Sequence, residues 1–340
     1  MIRPFKLFHD GSHLVWFEET CEQLSMKPAD LFIHEFSNGN VINRIDEDVS
    51  EFDCFVMATQ GTPMTLYKET MLGLVSNLAV NSEGRVNLLF GYMPNIRSDK
   101  EDQPRIVVAA RDMADQITLA GAHRAVIFEP HFKQISGFFD RKITKVSLVF
   151  GNPLLVNALM SKFNCKNFVS VAADLGGSKT AGLVASKLNV DIAIIDKRRI
   201  GNEEKAVPYA VIGKVKGKDC VITDDEIASG STFYEDVLFL LEKGAKSVIG
   251  MMSHAIMTNL DTLREIAAND KIPALIVCDT VPISQEKRDI LKGKLFIVHT
   301  APVYAEAIRR LSSGGSFRGP DGLLRRMWDV KHFPPVVEVV

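Results

Sequence analysis

The chain has 340 residues, and its 40 basic and 42 acidic side chains give a formal net charge of −2. Hydrophobic residues make up 46% and charged residues 24%, a composition typical of folded globular proteins that excludes a disordered or collagen-like chain. The charge balance argues against a general nucleic-acid binder, because such proteins carry a basic surplus. The length favours two domains, or one large α/β domain.

The cysteines and the apolar runs indicate the cellular setting of the protein. The cysteines are scattered without a C-x-x-C pair, which favours reduced intracellular thiols over a disulfide framework or a structural zinc site. The first 20 residues lack the apolar segment of a signal peptide, and no apolar run is long enough to span a membrane. We therefore expect a cytoplasmic protein with no membrane partner. The cysteines are Cys21, Cys54, Cys165, Cys220 and Cys278.

Short β-branched apolar runs alternate with longer amphipathic stretches along the chain. Strands that are apolar on both faces and separated by helices are typical of parallel sheets covered on both sides, so the pattern predicts an α/β fold. The number of strands exceeds what one compact sheet usually holds, which favours two doubly wound, mainly parallel-sheet domains. The predicted strands lie at 54–58, 85–90, 124–128, 145–150, 168–172, 191–195, 219–223, 247–252, 274–277 and 295–299. The predicted helices lie near 65–80, 105–119, 152–162, 177–187, 231–243, 258–267 and 302–312.

The domain boundary is predicted near residue 150, where a Gly-Asn-Pro sequence beginning at Gly151 follows a predicted strand. The charged stretches at 93–103 and 198–207 are predicted to be loops, and each follows a predicted strand. Ligands gather at the carboxyl ends of strands in open parallel sheets, so both loops are candidate binding segments. The predicted divisions are an N-terminal domain at 1–150, a C-terminal domain at 151–301, a helix near 302–316 that packs back on the N-terminal domain, and an irregular extension at 317–340.

The stretch 219–232 (DCVITDDEIASGST) carries the strongest chemical signal. A predicted buried strand ends in Asp224 and Asp225, and a turn of small residues then leads into a predicted helix. The start of a helix offers free backbone N–H groups, and glycine allows close approach, so this turn suits a phosphate monoester. We expect the two acids to bind vicinal hydroxyls of the attached sugar; the alternative is an ordinary helix cap beside two solvated acids. The turn consists of Ala228, Ser229, Gly230, Ser231 and Thr232.

This stretch resembles the phosphoribosyl pyrophosphate-binding motif of type I phosphoribosyltransferases and of ribose-phosphate diphosphokinases, also called phosphoribosyl pyrophosphate synthetases. Upstream, residues 193–199 (AIIDKRR) resemble the strand and loop of the diphosphokinases. That resemblance implies that Lys197 and Arg199 are catalytic and that Arg199 also contacts ribose 5-phosphate. Adjacent cations at the rim of a phosphate site are suited to stabilising a transferring phosphoryl group.

Two further motifs resemble the divalent-cation segments of the same family. Residues 129–131 (EPH) followed by 134–139 (QISGFF) are similar to its cation signature, and 174–177 (DLGG) is similar to its Asp-x-Gly-Gly turn. The resemblance implies that His131 and Asp174 are ligands for Mg²⁺. Hard oxygen ligands suit a Mg²⁺ ion that bridges ATP phosphates.

In the N-terminal half, 36–40 (FSNGN) and 92–100 (YMPNIRSDK) resemble the family's nucleotide-binding segments. The second segment departs from the family by about three extra residues at 93–95 and by a serine in place of a usual glutamine. A planar guanidinium in this loop suits stacking on adenine. The ATP-binding residues implied by the resemblance are Phe36, Asn38, Gly39, Asn40, Arg97, Ser98 and Asp99.

With the closing segments 278–282 and 301–308, the resemblance covers roughly residues 5 to 316. It implies two domains of type I phosphoribosyltransferase-like fold, and diphosphoryl transfer from Mg–ATP to the anomeric hydroxyl of ribose 5-phosphate. It also implies a dimer-based homo-oligomer, such as a hexamer.

Two alternatives remain open. Asn38, Asn40 and Ala228 stand where the family usually carries acids, which favours a non-catalytic regulatory subunit. A phosphoribosyltransferase is the other alternative, although such an enzyme needs no ATP-binding half.

Overall fold

The computed structural model describes residues 3–198 and 207–340. The first part of the chain forms β1 (Phe5–His9), α1 (Leu14–Leu24), β2 (Leu31–Glu35), β3 (Val41–Ile45), β4 (Asp53–Ala58), α2 (Met64–Asn81), β5 (Val86–Phe90), α3 (Ala109–Leu119), β6 (Arg124–Phe128) and β7 (Lys145–Val149). The remainder forms α4 (Asn152–Lys162), β8 (Phe168–Ala172), α5 (Ser178–Leu188), β9 (Asp191–Arg198), β10 (Val207–Ile212), β11 (Asp219–Ile227), α6 (Ser231–Glu242), β12 (Ser247–Ala255), α7 (Leu260–Ala268), β13 (Leu275–Cys278), α8 (Gln285–Ile290), β14 (Leu295–Val298), α9 (Ala301–Ser313), α10 (Leu323–Arg326) and β15 (Val337–Val339).

These elements divide into two compact units. The first contains the described residues up to Phe150 together with Thr280–Pro282 and Thr300–Phe333. The second contains the described residues of Gly151–Asp279, with Ile283–His299 and Pro334–Val340. No helix in the described part of the chain is long and apolar enough to cross a membrane.

The first unit is built on a parallel sheet with the strand order β1-β4-β5-β6-β7. Every residue of β4 and β5 is buried, as expected for strands that helices cover on both faces. Strands β2 and β3 pair with each other in a separate antiparallel hairpin.

Helix α9, near the end of the chain, packs on the first unit. The Tyr304 hydroxyl donates a hydrogen bond to the carbonyl of Phe90 at 2.6 Å, and the Trp16 ring lies edge-on to the Tyr304 ring with centroids 4.6 Å apart. The Arg85 guanidinium donates to the carbonyl of Leu311 at 3.1 Å. These contacts tie a distant segment of the chain to the core of the first unit.

The second unit contains a sheet with the order β10-β9-β8-β11-β12-β13-β14-β15. Its six inner strands are mutually parallel, while the edge strands β10 and β15 pair antiparallel with their neighbours. The carboxyl ends of β8, β9 and β11 therefore meet at one edge of this sheet, which is where parallel α/β sheets place their ligands. The predicted α/β fold with mainly parallel sheets is confirmed.

The ten predicted strands and seven predicted helices all form, most of them with ends shifted from the predicted ones. One expectation was wrong: Asp224 and Asp225 lie inside β11, which continues to Ile227, and do not follow its end. The two end residues of the predicted loop at 198–207 belong to strands, because Arg198 ends β9 and Val207 begins β10, and the residues between them lie outside the described residues. The extension expected to be irregular includes α10 and β15.

Candidate active site

The carboxyl edge of the second sheet collects the predicted sugar-phosphate and phosphoryl-transfer residues. The register pairs Ala172 of β8 with Thr223 of β11 and with Ile194 of β9. The residues that follow each of these positions therefore reach the same edge. They are Asp174, Lys197, Asp224 and Asp225.

The turn 228–232 leads from β11 into α6 at this edge. Gly230 has a φ of +88° and is the N-cap of α6, where it offers no side-chain acceptor to the first-turn N–H groups. Within the turn, the Ser231 N–H donates to Ser229 Oγ at 3.3 Å, and the side chain of Thr232 is exposed. The N-terminus of a helix of 12 residues thus opens towards the edge with N–H groups suited to an anion.

Neighbouring segments hold this turn in place. The Ala228 carbonyl accepts a hydrogen bond from the Thr258 N–H at 2.8 Å, and Ser231 Oγ lies 3.4 Å from Thr262 Oγ1 on α7. A Cβ atom added at Gly230 would lie 3.4 Å from Thr262 Cγ2. The geometry of the turn is therefore fixed by α7 as well as by its own sequence.

Asp224 and Asp225 form a coupled pair of acids. Asp224 Oδ1 accepts the Asp225 N–H at 2.9 Å. Part of the Asp224 side chain is exposed to solvent. The protein around the rest of the side chain removes enough of its hydration to raise its pKa well above the usual range. The neighbouring Asp225 and the charge of Asp174 raise that pKa further. The pair is suited to ligands that donate hydrogen bonds, such as sugar hydroxyls, or to a cation.

Asp174 lies in the turn between β8 and α5. Its Oδ1 accepts the Gly177 N–H at 2.9 Å, which orients the carboxylate, and the side chain is exposed. Its charge raises the pKa of both Asp224 and Asp236, so it contributes to the negative potential at this edge.

Lys197 lies near the end of β9 and is ion-paired inside the second unit. Its Nζ lies 2.8 Å from Asp236 Oδ2, with 12% of the lysine side chain and 1% of the aspartate side chain exposed. Desolvation raises the pKa of Asp236 to about 6, although the Lys197 ammonium opposes the shift.

Sequence reasoning did not identify Asp236. The signal was an acid at a core position of α6, between the buried Phe233 and Leu240.

Arg198, the next basic residue along the chain, has different contacts from Lys197. Because successive residues of a strand point to opposite faces, Arg198 lies on the other face of β9. There its Nη2 lies 3.0 Å from Asp196 Oδ2, and its guanidinium lies 4.0 Å from the Tyr209 ring centroid. Arg199, predicted as a catalytic and ribose-5-phosphate-binding residue, lies outside the described residues.

In the first unit, the β2–β3 hairpin brings the predicted residues at 36–40 into one exposed turn. The Asn40 N–H donates to Asn38 Oδ1 at 3.1 Å, and Gly39 has a φ of +82°. The Phe36 ring is 47% exposed and lies edge-on to His34 with centroids 4.8 Å apart. An exposed aromatic ring at a turn tip is available to a ligand.

The predicted adenine loop joins β5 to α3. Met93 and Ile96 are buried, which anchors the inserted residues, while Arg97 is exposed and Asp99 is partly buried. Ser98 is engaged within the loop, since its hydroxyl donates to the Val107 carbonyl at 3.0 Å. The Ser98 hydroxyl also accepts the first N–H of α3 at 3.2 Å. These two hydrogen bonds of the Ser98 hydroxyl stabilise the loop.

His131 follows β6 and has an exposed side chain in the first unit, whereas Asp174 belongs to the second. Their common role as Mg²⁺ ligands therefore stays a prediction.

Comparisons with known proteins cover both units. The family described as "N-terminal domain of ribose phosphate pyrophosphokinase" matches residues 5–121, and "Phosphoribosyl synthetase-associated domain" matches residues 198–319. The ribose-phosphate pyrophosphokinase of Haemophilus influenzae is 32% identical over 310 residues, which cover 91% of this chain and 96% of the relative. That of Deinococcus radiodurans is 31% identical over 315 residues, covering 92% and 96%. The crystal structure of phosphoribosylpyrophosphate synthetase from Mycobacterium smegmatis has a TM-score of 0.84 at 29% identity, covering 92% of this chain and 100% of that one.

Proposed function

Because the chain belongs to the ribose-phosphate pyrophosphokinase family, we propose that it transfers the diphosphoryl group of ATP to ribose 5-phosphate. The products are phosphoribosyl pyrophosphate and AMP. The observation that supports the proposal is the carboxyl edge of the second sheet, which carries the N-terminus of α6, an acid pair and an ion-paired lysine.

The sugar phosphate binds at the turn and the acid pair. The first-turn N–H groups of α6 hold the 5-phosphate, and the side chains of Asp224 and Asp225 accept hydrogen bonds from the ribose hydroxyls. The anomeric oxygen then attacks the β-phosphorus of ATP. The bond from that phosphorus to the α,β-bridging oxygen breaks, AMP leaves with the electron pair, and the hydroxyl proton is released.

Lys197 supplies positive charge where the transferring group accumulates negative charge. Arg199, two residues further along, has the same role and also contacts the ribose 5-phosphate. Catalysis then consists of positioning and electrostatic stabilisation, with no covalent enzyme intermediate.

Asp174 and His131 are the residues proposed to hold Mg²⁺. Within the second unit the carboxylates fit a hard cation, because the charge of Asp174 already raises the pKa of Asp224, and such crowded carboxylates favour a nearby positive charge. When bound, Mg²⁺ supplies charge neutralisation to the ATP phosphates.

ATP recognition is assigned to the hairpin turn and to the loop before α3. The exposed Phe36 ring and Arg97 guanidinium are suited to stacking on adenine, and Ser98 supports the loop that carries Arg97. We also expect a dimer-based homo-oligomer. The remaining proposed ATP-binding residues are Asn38, Gly39, Asn40 and Asp99.

The test is turnover of ATP and ribose 5-phosphate with Mg²⁺, followed by phosphorus NMR. We expect AMP and phosphoribosyl pyrophosphate to appear in equal amounts. Lys197→Ala should lower kcat by orders of magnitude with a modest change in the ribose-5-phosphate KM, while exposed Lys214→Ala should behave as wild type. ATP binding without turnover would indicate a regulatory subunit, and an unchanged kcat in Lys197→Ala would contradict the role of that lysine.

A further inference from the structure

An aspartate occupies a core position of helix α6. The buried positions of this helix are Phe233, Asp236, Val237 and Leu240, so Asp236 lies within the apolar stripe that packs on the sheet. An ionised carboxylate at such a position is costly unless a partner compensates for the lost hydration. Its side chain is 1% exposed, which makes the identity of that partner important.

Lys197 of β9 is that partner. Its Nζ donates a hydrogen bond to Asp236 Oδ2 at 2.8 Å. The aspartate takes one of the three N–H donors of the ammonium group, so up to two donors can serve other acceptors. In residues 3–198 and 207–340, the second carboxylate oxygen, Oδ1, has no hydrogen-bond partner. The carboxylate thus makes one directed contact, to the lysine.

The Asp236 carboxylate is ionised near neutral pH, although desolvation and two neighbouring acids oppose its charge. Lys197 lowers the pKa of Asp236, whereas desolvation and the charges of Glu235 and Asp174 raise it, to about 6. Above that value the carboxylate is ionised and can hold the lysine.

We propose that Asp236 is a positioning residue: it holds the Lys197 ammonium in the orientation that meets the transferring diphosphoryl group. The inference rests on the proposed function. An ion pair holds a flexible lysine side chain, which otherwise samples many rotamers, in one geometry before the substrates arrive. Asp236 acts through Lys197 and has no contact of its own with the substrates.

The first experiment measures kinetics of Asp236→Asn, which keeps the side-chain shape and removes the charge. We expect kcat to fall by about 10- to 100-fold with the KM of both substrates within about twofold of wild type, because the lysine is misplaced while the substrate sites remain. Glu242→Gln, the same chemical change at an exposed position of α6, is the matched control and should leave kcat unchanged.

The second experiment repeats Asp236→Asn in a Lys197→Met background. Residues that act as a unit are not additive, so we expect no further loss of kcat in the double variant. A full additional loss there would mean that Asp236 acts independently of Lys197, and the proposal would be wrong. A wild-type kcat in Asp236→Asn alone would overturn it as well.

The third measurement does not depend on turnover. Acylation of lysines by an amine reagent, read by mass spectrometry, should modify Lys197 several-fold faster in Asp236→Asn than in wild type, relative to exposed Lys214. Unchanged labelling would show that the pair does not restrain the lysine and would overturn the proposal. Absence of turnover in the wild type, with increased labelling in the variant, would instead contradict the proposed function while supporting the restraint.

Discussion

Asp10 places a carboxyl group in the interior of the first unit, with 2% of the residue exposed. Its Oδ1 accepts hydrogen bonds from the N–H and the hydroxyl of Ser12, whereas Oδ2 has no partner among the described residues. Desolvation raises the pKa of Asp10 to about 7, although the Ser12 hydrogen bonds oppose the shift. The folded protein therefore favours the protonated form of this acid.

The sign of the resulting pH dependence follows from the raised pKa. An unfolded aspartate has its ordinary pKa of 3.8, so the free energy of unfolding decreases as pH rises from about 4 to about 7. Because asparagine does not ionise, Asp10→Asn removes this decrease in the free energy of unfolding. We expect the variant to be stabilised more at pH 8 than at pH 5, by on the order of 2–3 kcal/mol. Thermal unfolding at both values measures the difference, and the exposed Glu51→Gln should show none; an equal gain at both pH values would contradict the assignment.

Lys197 and Asp236 differ in how well the sequence alone predicts their roles. Lys197 was identifiable because residues 193–199 resemble the strand and loop of the diphosphokinases, whereas three adjacent basic residues alone would favour an ordinary basic loop. Asp236 was not, because a single acid between apolar helix positions is equally compatible with a solvent-exposed face. Its burial depends on how α6 is rotated against the sheet, which tertiary packing decides.

At the scale of elements, the turn before α6 depends on a residue with a left-handed backbone. In Gly230→Ala the alanine would have to adopt a φ of +88°, which L-residues disfavour. This conformation costs about 1–2 kcal/mol of folding free energy. The new Cβ would lie in ordinary van der Waals contact with Thr262 and Ile266, so the penalty comes from the backbone conformation. We expect the turn to relax towards a conformation that an L-residue allows, which moves its N–H groups and raises the ribose-5-phosphate KM by about 10-fold.

The matched control is Gly217→Ala, at a φ of +72° in the same unit with no atom within 4 Å of the added Cβ. Both variants should lose similar stability in thermal unfolding. Only Gly230→Ala should change the KM, and an equal KM change in both would show that general destabilisation causes it.

The inner strands and most helices could be predicted because their apolar residues recur with the period of the element. The ends of β9 and β11 could not, since polar residues follow the apolar run of each strand. Ladder pairing continues through Glu226 opposite His254, and through Lys197 opposite Pro208, regardless of side-chain polarity. The β2–β3 hairpin was missed because its strands carry polar and exposed residues and no long apolar run. Edge strand β10 is apolar but contains Pro208, a residue that argues against an inner strand.

At the scale of the whole molecule, neither unit is one continuous segment. The chain passes between the units after residues 150, 279, 282, 299 and 333. The first unit therefore receives α9 only after most of the second unit has been synthesised. The sequence motifs locate helix α9, but its contacts with Trp16 and Phe90 depend on the assembled core.

A fragment of residues 1–150 should accordingly lack a complete core. Without α9, the rings of Trp16 and Phe128 lose Tyr304, whose ring lies edge-on to the first and stacks on the second at 5.9 Å. We expect the fragment to unfold without a cooperative transition, because large apolar side chains would face water.

Adding a peptide of residues 300–333 should restore a cooperative thermal transition and the near-ultraviolet circular dichroism of the aromatic side chains. A peptide carrying Tyr304→Asp and Ile308→Asp, both buried positions of α9, is the control and should restore neither. Cooperative unfolding of the fragment alone would show that its core is complete without the helix, and that α9 contributes little to the stability of the first unit.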